Sequence, residues 1–176
     1  NSGSDNILVK FFMLTFEQII DRLNAFWVKQ NCIIHQGYDL EVGAGIFNPA
    51  TFLRCLGKEP YRAAFIESCR KPKNAHYKNF NCIQTSHQYQ VLIKPLPTDA
   101  RTLYLQSLFA LNLDMKKYDI RLVHNDWVIS SLGISGLGWK IWCNGTEITQ
   151  FTYLQTVGDI VLKPISLEIT YDLESL

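Results

Sequence analysis

An arginine, two glutamines and a tyrosine stand where two predicted strands flank a basic loop. Arg70 ends YRAAFIESCR (61–70), and Gln88, Tyr89 and Gln90 open HQYQVLIKPLP (87–97). A guanidinium fork matches two oxygens of a phosphate or carboxylate. An aromatic ring beside it can stack on a base. The two-residue period of a strand puts Gln88 and Gln90 on one face and Tyr89 on the other. An exposed arginine with polar edge-strand neighbours fits the same spacing.

A second constellation lies in GLGWKIWCNGTEITQFTYLQ (136–155). Asn144-Gly145 predicts a two-residue type I′ hairpin turn. Uninterrupted pairing from that turn sets Cys143 against Thr146, Trp142 against Glu147, Ile141 against Ile148, Lys140 against Thr149 and Trp139 against Gln150. Trp142, Glu147, Lys140 and Thr149 then share one face, and Trp139, Ile141, Ile148 and Gln150 the other. A carboxylate against tryptophan suits a small ammonium group. The alternative is a diagonal Glu147–Lys140 pair on a solvated face. No Ser/His/Asp or Cys/His nucleophile is recognisable, and His35, His76, His87 and His124 lack metal-ligand spacing. The chemistry such residues can do is positioning and charge stabilisation.

The elements that must position these residues follow from periodicity. LTFEQIIDRLNAFWVKQNC (14–32) repeats Phe16, Ile19, Ile20, Leu23, Phe26 and Trp27 at helical spacing, with Thr15 and Gln18 forming a capping box. Gly43 and Gly45 predict a loop, too isolated for a dinucleotide fingerprint, and a short helix starts near Pro49. The sequence predicts a long polar loop over 71–86, a second helix over 100–113 and a strand over 118–127. It predicts a glycine-rich turn over 131–138, and a final strand leading into a helix over 161–176. Consecutive hairpin-linked strands mixed with helices indicate an α+β fold on a mostly antiparallel sheet.

The 176 residues suffice for one core, with 47% hydrophobic and 19% charged residues. A net charge of +1 argues against a dedicated nucleic-acid-wrapping surface. No apolar run reaches the ~18 residues of a membrane span, so no membrane partner is expected. Five cysteines without a Cys-x-x-Cys pair disfavour a zinc site and suit reduced, inert thiols in a cytoplasm. Residues 1–13, opening NSGSDN, read as a disordered lead or an expression remnant.

TFEQIIDRLNAFWVKQNC, YDLEVGAG-FNPATFLRCLG-EP, DIR-VH-DW, GLGWKIW-NG-EITQFTY-Q and EITY-LE together resemble the alpha subunit of bacterial heterotetrameric glycyl-tRNA synthetase, from about residue 14 to the end. The resemblance implies a class II aminoacyl-tRNA synthetase core over 14–176, without the family's helical C-terminal region. It implies glycine activation by ATP with Mg²⁺, transfer to tRNA-Gly, an alpha-chain homodimer and a beta subunit supplying most tRNA contacts. By position, Arg70 matches the arginine of the second motif, Lys71 follows it, and Tyr89 stands at the adenine-stacking position between Gln88 and Gln90. Asp126, Trp127, Trp139, Glu147, Thr149 and Gln150 look like the wall of the glycine pocket, with Glu147 meeting the ammonium. Glu168 and Glu174 take the places of catalytic or metal-contacting carboxylates.

The same comparison exposes departures. His76 and Cys82 stand at arginine positions of the second-motif loop, and Lys71 replaces another arginine. Lys140 stands where the family has glutamate, and His124 where an acidic residue is usual. The third motif, Tyr-Gly-Leu-Glu-Arg in the family, reads Tyr171-Asp172-Leu173-Glu174-Ser175. Losing a phosphate contact costs ~2–4 kcal/mol of transition-state stabilisation when the donor acts like an oxyanion donor. The alternative expectation is therefore a catalytically impaired synthetase-like binding or dimerisation module.

Overall fold

A computed structural model describes residues 14–39, 45–70, 85–113 and 116–176, the side chains of Arg70 and Thr85 excepted. The predicted lead at 1–13 lies outside the described residues, as do Lys71, His76 and Cys82.

Helix α1 spans Phe16–Lys29, and both halves of its Thr15–Gln18 capping box form. It buries Ile19, Leu23 and Trp27, the inward stripe of the predicted periodicity. Strand β1 (Ile33–Ile34) precedes a 3₁₀ turn at Gly45–Phe47 and α2 (Pro49–Phe52). Asn48 caps α2 through Ala50 N, with Pro49 in the first turn. The Asn48 amide also donates to the buried Glu67 carboxylate, which fastens α2 to the sheet.

The sheet continues with β2 (Tyr61–Arg70) and β3 (Thr85–Lys94), then α3 (Ala100–Ala110). After these come β4 (Ile120–His124), β5 (Trp127–Ile129), β6 (Ile134–Cys143), β7 (Thr146–Val157) and β8 (Ile160–Asp172). The order is β1-β2-β3-β8-β7-β6-β4, with β5 also pairing β6. Every described pairing is antiparallel except β1 with β2. This is the expected α+β architecture.

Four local expectations need correction. The predicted strand over 118–127 is two strands, β4 and β5, broken at Asn125-Asp126. The predicted glycine-rich turn over 131–138 is mostly strand: only Gly133 adopts a left-handed φ, 59°. Gly136 and Gly138 serve close packing instead, since a Cβ at Gly138 would lie 1.9 Å from the Phe151 carbonyl oxygen. No helix follows β8 among the described residues; the chain ends in a turn closed by Ser175 N donating to Asp172.

The fourth correction concerns register. Asn144 and Gly145 form the turn with φ of 49° and 86°, and Cys143–Thr146 and Trp142–Glu147 pair as expected. A bulge then inserts Ile148, so Ile141 pairs with Thr149, Lys140 with Gln150 and Trp139 with Phe151. Ile148 and Ile141 are both buried in the helix-side core, and the extra residue satisfies that burial.

The core between sheet and helices joins α1 and α3 to Val91, Ile93, Phe151, Ile169 and Tyr171. A smaller cluster on the opposite face groups Ile46, Leu92, Ile134, Leu154 and Leu162. Lys94 is buried and donates to Arg54 O, Leu56 O and Gly57 O at 2.7, 2.6 and 3.3 Å, anchoring the chain that follows α2. No described helix is long and apolar enough to cross a membrane.

Gly138→Ala is expected to destabilise the fold by about 1–3 kcal/mol, because the added methyl must push β6 from β7. Urea unfolding checks this; an unchanged midpoint would mean the two strands separate without cost.

Candidate active site

The face of the sheet turned away from α1 and α3 carries a cleft of about 680 Å³. That volume lies within the range of cofactor and small-molecule sites. Three stretches of strand supply its polar wall. β3 contributes Ser86, Gln88 and Gln90, β8 contributes Glu168, Thr170 and Asp172, and the β6–β7 hairpin contributes Lys140, Glu147 and Gln150. Gly45 and Trp127 complete two sides.

Alternation explains the β3 and β8 walls. Gln88 pairs with Asp172, Gln90 with Thr170 and Leu92 with Glu168, so their side chains leave the sheet on one face. Gln90 is almost fully buried; its amide donates to Thr170 Oγ1 at 3.4 Å and its oxygen accepts from Thr51 at 3.1 Å. Gln88 Oε1 accepts from Gly45 N at 3.2 Å and from the Cys69 thiol at 3.1 Å. A Cβ at Gly45 would fall 2.2 Å from the Gln90 amide nitrogen, so a side chain there would push the Gln90 amide off its Thr51 and Thr170 partners.

Glu168 is 5% exposed, and among the described residues no hydrogen bond or ion pair holds its carboxylate. Burial pushes it from 4.5 up to about 7. A half-protonated carboxyl in a cleft is suited to exchanging a proton for a cation. Glu147 is more exposed and fully engaged: Lys140 Nζ donates to one oxygen and Gln150 Nε2 to the other, each at 2.9 Å.

The predicted residues separate into two groups. Gln88, Gln90, Trp127, Glu147, Gln150 and Glu168 converge on the cleft. Tyr89, Trp139 and Glu174 do not. Tyr89 is fully buried on the helix side, donating its hydroxyl to Asn24 Oδ1 at 2.9 Å, so its ring is not available to a base. Burial also lifts its phenol far above the ordinary tyrosine range. Trp139 packs edge-on against Tyr153 at 5.6 Å and tilted on Phe151 at 5.8 Å, on that same face.

Glu174 receives His87 N and the His87 ring nitrogen at 2.8–2.9 Å, so it fastens the start of β3 rather than facing the cleft. Thr149 contributes to the wall, yet its hydroxyl is enclosed beside the Tyr104 phenol. Asp126 stands just outside, accepting from Gly138 N at 3.3 Å, next to cleft-lining Asn125. Arg70 closes β2 opposite Thr85, one residue pair beyond Cys69 and Ser86. Its side chain, and all of Lys71, lie outside the described residues.

Sequence reading missed Gly45, Ser86 and Thr170. Strand alternation from Glu168 would have found Thr170. Gly45 has no local signal, because the atom that demands it comes from β3. The bulge moves Gln150 to the Glu147 face and joins it to Lys140, which uninterrupted pairing had split.

Among the described residues no group of three His, Cys, Asp or Glu side chains could hold a metal by itself. Magnesium is commonly held by one or two carboxylates together with substrate phosphates, and the buried, unpaired Glu168 fits that arrangement. Glu174 does not, since both its oxygens are taken. Cys32 and Cys55 are buried thiols, and burial raises both to about 11, which keeps them protonated.

A family model described as glycyl-tRNA synthetase alpha subunit matches residues 16–176. A glycine–tRNA ligase of Chlamydia pneumoniae is 51% identical over 164 residues. The match covers 93% of this chain but 16% of that relative's length. Two solved pyrrolysyl-tRNA synthetase structures from Desulfitobacterium hafniense superpose with TM-scores of 0.65 and 0.61 at 12% identity. They cover 92% and 91% of this chain and 65% and 67% of theirs, a likeness of fold.

Because the folded-state pKa of Glu168 is raised, folding favours the protonated form. Stability is fully present below about 4.5 and is lost as pH rises through about 7. Urea midpoints at pH 5 and pH 8 should differ in that direction, and Glu168→Gln should shrink the difference. An equal difference in the variant would assign the effect to another group.

Proposed function

The chain belongs to the glycyl-tRNA synthetase alpha subunit family, and we propose that its cleft activates glycine with ATP and passes it to tRNA-Gly. The observation that carries this reading is one cavity between two polar walls. Glu147, Gln150 and Trp127 stand on the β6–β7 side, and Gln88, Gln90 and Glu168 on the β3–β8 side.

Glycine enters at the hairpin, where its ammonium meets Glu147 and the Trp127 ring limits side-chain bulk. The nucleotide extends along β3 and β8. One glycine carboxylate oxygen attacks the α-phosphorus in line; the new O–P bond forms as the bond to the bridging oxygen breaks, and pyrophosphate leaves. Arg70, at the end of β2, is assigned to the α-phosphate and the glycine carboxylate. Glu168 is the residue that would hold a magnesium ion carried by the triphosphate, and such an ion would supply neutralisation of phosphate charge. Glu174 acts by positioning β3 through His87.

The cavity is larger than glycine requires, so rejection of larger amino acids rests with the hairpin end alone. tRNA contacts and pairing with a second alpha chain are assigned to surfaces beyond this cleft. A beta subunit, or the remainder of a longer chain, supplies the former. The buried, protonated thiols of Cys32 and Cys55 suit a cytoplasmic protein.

One observation favours the second reading, an impaired binding or dimerisation module. Asp172 lines the cleft on the same face of β8 as Glu168, and the position after Glu174 is Ser175, whose backbone N–H donates to Asp172 at 3.1 Å. Negative charge there opposes a triphosphate.

Glycine-dependent ATP–pyrophosphate exchange, with alanine as control, separates the two. Exchange with glycine alone supports activation. Arg70→Ala should abolish it at unchanged melting temperature, and Glu147→Gln should raise the glycine KM roughly tenfold or more, the scale of a lost charge-assisted hydrogen bond. A folded chain that binds glycine without exchange would establish the module.

A further inference from the structure

The Glu147 carboxylate already holds an ammonium group. Lys140 Nζ lies 2.9 Å from Glu147 Oε2, and both side chains line the cleft. A lysine ammonium and the ammonium of an amino acid present the same charge and the same N–H donors. We propose that Lys140 is a built-in competitor for the substrate amine, holding the Glu147 carboxylate until glycine displaces it. This rests on the assignment of Glu147 to the glycine ammonium made above.

The arrangement is a product of the bulge at Ile148. That extra residue pairs Lys140 with Gln150 instead of Thr149 and brings Lys140, Glu147 and Gln150 to one face. Gln150 Nε2 occupies the other carboxylate oxygen at 2.9 Å, which fixes the carboxylate plane and leaves the lysine side open to exchange. Lys140 is the single cation among the described residues lining the cleft.

Exposure sets the strength of the competition. The two side chains are 34% and 28% exposed, a half-screened pair rather than a buried one. Pairs of this kind shift an equilibrium by roughly twofold to fivefold. That is weak enough for displacement by glycine, which brings a carboxylate anchored elsewhere in the cleft. It also lowers the apparent affinity of every amine for the carboxylate by that same modest factor. The lysine thus raises the threshold for occupancy by any amine, and a ligand whose carboxylate is also anchored passes that threshold at the lowest concentration.

Equilibrium dialysis with radiolabelled glycine tests this on the full protein, comparing it with Lys140→Met, Lys140→Gln, Lys140→Arg and Glu147→Gln. The uncharged Lys140 variants should bind glycine roughly twofold to fivefold more tightly, Lys140→Arg should bind as the unaltered protein does, and Glu147→Gln should bind more weakly. Two uncharged replacements guard against one that does not fold. Unchanged or weaker binding by both, with Glu147→Gln still impaired, overturns the competitor role and leaves the ammonium site standing. If Glu147→Gln binds glycine normally, or the unaltered protein binds none, the ammonium site itself falls and this inference with it.

Discussion

Side-chain alternation along β3 and β8 is the constraint on which the rest of this structure depends. Each of these central strands must serve a tightly packed helix layer on one side and a polar cleft on the other. Tyr89, Val91, Ile93, Ile169 and Tyr171 go to the helices, while Gln88, Gln90, Glu168, Thr170 and Asp172 go to the cleft. A slip of one residue in either strand would drive glutamines and carboxylates into the apolar core. The register is therefore held by burial on one face, and the cleft inherits its geometry from that burial.

The β6–β7 hairpin solves the same problem differently. Its turn forces one phase and the helix-side core requires another a few residues on. The bulge at Ile148 reconciles them. The outcome is a cluster of Lys140, Glu147 and Gln150 that neither phase alone would assemble, and it faces the wall built by β3 and β8. The polar cluster at this end of the cleft is thus a by-product of fitting a hairpin to a core.

Electrostatics in the cleft run against simple expectation for a nucleotide site. Glu168 and Asp172 rise from the same face of β8, and Lys140 is matched to Glu147. Burial lessens the conflict by holding Glu168 near half-protonation at neutral pH. On the proposed reading, binding a cation-carrying triphosphate would release that proton and so link nucleotide affinity to pH.

Much of this was legible in the chain itself. The Thr15–Gln18 cap, the Asn144-Gly145 turn, the β2 strand and the mixed antiparallel class all follow from local signals, because caps, turns and alternation act over a few residues. The family, too, is written in the GLGW…NG.E.TQFTY run and its neighbours. Tertiary structure decided what local signals cannot reach. It took Tyr89 and Trp139 into the helix-side core, tied Glu174 to His87, and set the Gln90 amide where a side chain at position 45 would stand. It also moved Gln150 across the sheet through a bulge that exists to bury Ile148. In each case the deciding atom comes from a strand or helix distant in sequence, and its position is fixed by packing.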